Sequence, residues 1–565
     1  MKFVPASLLW IVVAASASLS AQISPSNAQS LTRAIISGIV TKDPGTEPLK
    51  KALIELIAES QSEGGNYTAL TGSDGSFRIE NIAPARYRLF VERTGYQEIG
   101  KDHRRTEGRV LTLSAGQELK DLTIRLQAAA VVQGRVTDED GDPMPEAQVA
   151  VLRQTFVSGH SHWEQTGAER TNDLGEYRIA GLAAGNYFVS VTPPPDFRSL
   201  IETNGNPAQS PSPSEKPAPS AYQTTYYPGT RDRGQASSIQ LHAGDDFPAN
   251  FSLTPSPSLT IRGSVVNLPT GSTAAIMLQS RDFNLTLNGA EMHKDGTFEI
   301  RGVSPGAYTI FATVDNVAVP MMARQALQLT SANVDGIRLA PQAGGSIRGR
   351  LRMEVSGAAR PDLSQMFLLL HSAEDDDDAI GALPMGLNFP TLAHVDGDGS
   401  FEWKNVSPGN YSIQISDARS LPNFFLKSVI AGGRDVVESG FGLSGGMTTL
   451  DVLASANGAV VDGVATNRKD EPVADGVVVA IPDVRFRNHP DRFRKALCDQ
   501  SGHFILRGLP PGDYTLFAWE SVDGEAYYNP EFLKGYEGQG KPLHMSEGLR
   551  VTVHLKTIPA AEDQP

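Results

Sequence analysis

The chain has 565 residues, with 49 Lys and Arg against 64 Asp and Glu, a formal charge of −15 and a single Cys. At about 150 residues per domain it is too long for one small domain, and 40% hydrophobic with 20% charged residues excludes wholesale disorder. The acidic balance argues against nucleic acid as a partner, because phosphate binding needs a basic face to displace counterions.

The first residues read Met1-Lys2, then an apolar run from Leu8 to Ala15, then small residues such as Ser20-Ala21. A basic start, an apolar stretch too short to span a bilayer and a small-residue exit predict a secretory signal over residues 1–21, cleaved between Ala17 and Ala28. No later run approaches the roughly 20 apolar residues of a membrane helix, so the mature chain is expected to be exported with no transmembrane segment. Cys498 has no partner for an intramolecular disulfide, which leaves hydrophobic cores to hold the folds.

Internal self-similarity organises the rest. Five copies carry a polar turn with Gly, an aromatic residue two positions on, and a Tyr ten residues after that ring. The ring and Tyr are Phe77 and Tyr87, Tyr177 and Tyr187, Phe298 and Tyr308, Phe401 and Tyr411, and Phe504 and Tyr514. Before each Tyr lies a small-residue corner, such as Pro305-Gly306-Ala307 or Pro511-Gly512-Asp513, in which Pro presets φ and Gly admits positive φ. Apolar residues alternate on both sides, as in Phe77 and Ile79 before the corner and Tyr87, Leu89 and Val91 after it, so each copy holds a hairpin with one buried face. Upstream, each copy has a Gly followed by alternating apolar residues, as at Gly38-Ile39-Val40 and Gly463-Val464-Ala465. Closing strands recur at Leu122–Leu126, Ile337–Leu339 and Val551–Leu555. No convincing amphipathic helix is present. The reading is all-β: a tandem array of about five two-sheet antiparallel β-sandwich modules. Their expected bounds are 33–127, 128–254 with a Pro/Ser-rich insertion over 193–219, 257–341, 343–454 and 455–557, followed by a polar tail over 558–565.

The Gly-x-Val, Asp-Gly-x-Phe and Pro-Gly-x-Tyr run resembles the carboxypeptidase regulatory-like domain, which implies antiparallel Greek-key modules: a transthyretin-like or prealbumin-like sandwich also described as a carbohydrate-binding-like fold and related to the B-type repeats of bacterial surface adhesins. The resemblance is strongest in copies one, two and five; copies three and four depart from it at Leu268-Pro269-Thr270 and Met353-Glu354-Val355. The family motif is structural, so it brings no catalytic residue to this chain.

The chemical candidates are weak beside that framework. His371 and Glu374 have the His-x-x-Glu spacing of zinc carboxypeptidases, but a catalytic site needs a third ligand and a large α/β domain. Asp396-Gly397-Asp398 begins an oxygen-ligand loop that fails where Phe401 stands at the sixth position and apolar Val406 near its end, and Glu374–Asp378 reads as a solvated acidic loop. His160 and His162, beside Trp163, are expected in a loop. Arg485, Arg487, Arg492, Arg494 and Lys495 with Phe486 and Phe493 form the best basic and aromatic cluster, read as a solvated loop over its own rings. Cys498 falls where other copies have Thr71, Thr171, Met292 and Val395, which makes it a packing position.

No cofactor and no metal are expected. The remaining candidates for contact with a ligand or partner are Trp163, Tyr226, Tyr227, Trp519, Tyr527 and Tyr528, because flat rings stack on sugars or anchor protein partners. By its position, Trp519 should point away from its module's core. The sequence therefore predicts an exported, non-catalytic interaction scaffold with a protein or polysaccharide partner at the cell envelope; the alternative is a carbohydrate-binding protein using those rings, and a metallopeptidase is the weakest reading.

Overall fold

The computed structural model describes residues 33–60, 63–98, 108–157, 160–194, 220–257, 259–280, 286–303, 305–315, 317, 319–355, 361–372, 392–415, 423–522 and 525–559. The signal segment, most of the Pro/Ser-rich insertion, and Glu374–Asp378 lie outside them.

Five times the chain builds the same pair of facing sheets. In the first, strand Ala34–Asp43 lies between Ser76–Ile82 and Glu118–Ala128, while Leu53–Ala58 lies between Asn66–Leu70 and Ala85–Glu92, with Arg109–Leu113 at the far edge. In the fifth, Ala459–Thr466 lies between His503–Leu509 and Arg550–Lys556, and Val477–Pro482 between Arg494–Leu497 and Gly512–Trp519, edged by Lys541–Met545. Copies three and four keep this order despite their departures in sequence, with Thr273–Ser280 and Phe367–Ser372 in the place of the second sheet's inner strand. One feature differs from the expected all-antiparallel sandwich: the first and last strands of every module run parallel, as in Val40 beside Ile124 and Gly463 beside Val553. The single α-helix among the described residues is one short turn, Pro530–Lys534.

Each sandwich encloses its own core, and all ten recurrent rings lie in these cores. The recurrent upstream Gly pairs directly with the recurrent ring: Gly38 with Phe77, Gly134 with Tyr177, Gly263 with Phe298, Gly349 with Phe401 and Gly463 with Phe504. The reason is space. A Cβ on Gly349 would stand 2.4 Å from both the Leu450 carbonyl oxygen and the Phe401 ring, so the ring covers a strand that has no side chain of its own there. Four residues after each ring the backbone turns left-handed, at Asn81, Gly181, Gly302, Asn405 and Gly508, and the ladder to the first strand slips by one residue. Asn and Gly are the residues that tolerate this conformation at a bulge.

The corner Tyr closes its own turn. The hydroxyls of Tyr87, Tyr187 and Tyr411 donate to the carbonyls of Ala83, Ala183 and Ser407 at 2.6, 3.0 and 2.7 Å. A buried phenol needs such a partner. At the position shared with Cys498, Thr71 and Thr171 bind across to Leu49 and Met144 carbonyls at 2.6 Å each, whereas Cys498 is fully buried and burial pushes its thiol up to about 12.

Candidate interaction surfaces

The conspicuous rings do not form one open platform. Tyr226 is buried, and half-buried Trp163 stacks on Phe188 at 4.1 Å and meets Tyr226 edge-on at 5.7 Å, with the Arg233 guanidinium 4.5 Å above its other face. Tyr227 packs against Phe247 and Phe251 at the rim of the second core. Trp163 also stands in strand His160–Arg170, paired with Gln148–Val157, so the expected loop around the two histidines is a hairpin strand.

Trp519 does point away from its module's core, yet it is only 1% exposed. It stacks on Phe517, is flanked by Phe532 and Tyr536, and shares a separate apolar cluster with Val477, Val479, Ile481 and Tyr527. The expectation of an exposed Trp519 and Tyr527 is therefore corrected by a second layer folded over the outer face of the fifth module. Ile558, placed at the head of a polar tail by sequence, is buried in the same layer and pairs with Trp519. Tyr528 lies half-buried against Phe493 at 4.4 Å.

That layer is completed by the first module. Val110, fully buried, belongs to the same cluster although more than 360 residues separate it from Val477. Around it the edge strand Arg109–Leu113 runs beside residues 497–500, with a parallel bridge between Val110 and Asp499. Thr112 and Gln500 exchange two hydrogen bonds at 3.0 and 2.8 Å, the Thr112 hydroxyl donates to Asp499 at 2.7 Å, and Arg86 donates to the Leu497 carbonyl at 3.2 Å. Arg109 approaches Asp475 at 2.8 Å. Burial alone would raise the Asp499 carboxyl, but donation from Ser501, Thr112 and the His503 backbone outweighs it and holds the group below its ordinary value. Lesser contacts join the other neighbours: Gln97 to Gly181, Arg324 to Ser372, and Lys427 bridging Glu354 and Glu547.

His371 ends strand Phe367–Ser372, opposite Ser412, and Glu374 is outside the described residues. Asp398 spends its carboxylate on Ser400 at 2.9 Å and on Arg350 at 3.1 Å, which pulls it down to about 2 and makes the Asp-Gly segment a turn brace, as Asp74 does for Ser76. Among the described residues no group of three or more His, Cys, Asp and Glu could hold a metal ion, and no helix is long and apolar enough to cross a membrane.

Residues 35–127 and 131–195 match the carboxypeptidase regulatory-like domain family. No curated protein matches the chain. Among solved structures, the Bacillus anthracis TIE protein is 12% identical with a TM-score of 0.16, covering 55% of this chain and 51% of its own. This chain thus spans about half the length of that relative. The minor pilin GBS52 of Streptococcus agalactiae is 13% identical over 40% of this chain and 97% of its own, TM-score 0.21, and the major pilin BcpA of Bacillus cereus is 9% identical over 55% and 100%, TM-score 0.14. Scores this low carry no argument about arrangement or activity.

Proposed function

We propose that the chain is an exported, non-catalytic scaffold of the cell envelope or extracellular space. Its five sandwiches, with the bounds given above, form a frame that presents inter-strand loops to a protein partner. The observation that supports this most is the seam between the first and fifth modules: the rings best suited to stacking on a ligand, Trp519 and Tyr527, are consumed in holding the chain to itself. A polysaccharide partner is the second reading, favoured only by the half-exposed Trp163 with Arg233 over it. Retention of the purified chain on envelope protein fractions, compared with polysaccharide columns, separates the two. Retention on protein that survives Trp163→Ala is expected; retention on polysaccharide that Trp163→Ala abolishes would replace the first reading with the second. A peptidase assay with added zinc is expected to show no turnover.

A further inference from the structure

The hairpin of Gln148–Val157 and His160–Arg170 in the second module is longer than its counterparts. Its strands have ten and eleven residues, against six and five for Leu53–Ala58 and Asn66–Leu70 in the first module and six and four for Val477–Pro482 and Arg494–Leu497 in the fifth. The next strand of its sheet, Gly185–Thr192, pairs only with Gln148–Leu152. Beyond Leu152 the pairs from Arg153 with Glu164 to Val157 with His160 therefore form a two-stranded ribbon that projects past the sandwich. The ladder slips by one residue between Val151 and Leu152, and such a bulge bends the hairpin where it leaves the module.

A ribbon of two strands is marginal in water unless it rests on another surface. Within the second module the adjoining outer face is already taken, because Ala150 and Leu152 pack with Trp163, Phe188 and Tyr226. The fifth module supplies a seat. Strand Gln148–Val157 lies against the turn Ala526–Tyr528, whose Tyr527 belongs to the outer layer that also receives Val110 of the first module. The charges at the two places are opposite: Arg153 opens the ribbon, and Glu525 immediately precedes the turn. The first two modules also approach that layer together, since the Ala129 amide donates to the Gly95 carbonyl and the Gln97 side chain to the Gly181 carbonyl, at 2.9 Å each.

We infer that the ribbon beyond Leu152 is a strap that closes the frame by seating on the turn Ala526–Tyr528, a second hold on the fifth module's outer layer beside the seam with the first. The strap does not depend on which partner the frame carries. Removing Thr155–Val157 and His160–His162, with Ser158 and Gly159 kept, draws the end of the ribbon back by about 10 Å and leaves Trp163 to stack on Phe188. Hydrogen exchange on the full chain reads the seat. The amides of Tyr528 and Asn529, which donate to the Glu525 and Ala526 carbonyls at 2.9 Å each, should exchange at least about tenfold faster in the trimmed chain, while those of Glu176–Leu182 and Gly185–Thr192 keep their protection. Arg153→Glu should accelerate the same two amides, and adding Glu525→Arg should restore them. Should the trimmed chain lose protection in the second module, the charge exchange decides alone. Unchanged exchange at Tyr528 and Asn529 in Arg153→Glu, or in a trimmed chain whose second module stays protected, would overturn the strap, as would a Glu525→Arg that fails to rescue.

Discussion

Gly349 and Phe401 show what a single residue decides in this protein. Because the added Cβ of Gly349→Ala would stand 2.4 Å from a backbone oxygen and a buried ring, the strand or the ring must shift, and we expect a loss of about 1–3 kcal/mol in urea unfolding of the fourth module. Asp499 decides something different. Its carboxyl is depressed in the folded chain, so its contribution is present above the ordinary Asp value near about 4 and fades as pH falls through the lower folded value. Asp499→Asn should therefore lower the melting temperature of the chain at pH 7, with the gap to wild type closing towards pH 3. Persistence of the full gap at pH 3 would remove the charge from the explanation. The recurrent rings were legible in the sequence because a fixed spacing of ten ties each to its Tyr. The recurrent glycines were legible as well, but their pairing with the rings was not, since each Gly precedes its ring by a loop-dependent distance of between 35 and 52 residues.

Among the strands, the bulge four residues after each ring was also present in the sequence as Asn81, Gly181, Gly302, Asn405 and Gly508. It went unread because Asn and Gly share no hydrophobic signature; only their common tolerance of the left-handed conformation unites them. Asn405→Gly should leave stability nearly unchanged, whereas Asn405→Val should cost about 1–2 kcal/mol, measured by chemical denaturation. The strand Val477–Pro482 carried another signal. All six of its residues are buried, and an unbroken apolar run of that kind marks a strand covered on both faces, unlike the alternation of Leu53–Ala58. What covers it could not be read, because Val110, on the opposite side of the seam, shares an edge strand with Leu111 and Leu113, which belong to the first module's own core, more than 300 residues away.

For the whole molecule the seam separates a closed frame from a string of beads. Val110→Asp places a charge in a fully buried apolar cluster, which costs far more than the roughly 1.5–3 kcal/mol that burying the Val side chain contributes. The first module's own core does not contain Val110, so this variant should keep five folded sandwiches while the radius of gyration rises in small-angle scattering and Trp519 emission shifts to the red. An unchanged radius would show that the seam does not set the shape.

The parallel pairing of first and last strands has a mechanical meaning. A chain pulled from its two ends loads that pair along its length, so the hydrogen bonds between Ala459–Thr466 and Arg550–Lys556 must rupture together and not one after another. In a force-extension trace the clasp between the outermost modules should release first, as one early event that frees length without unravelling any sandwich. The five larger ruptures should follow at higher tension, each releasing one module.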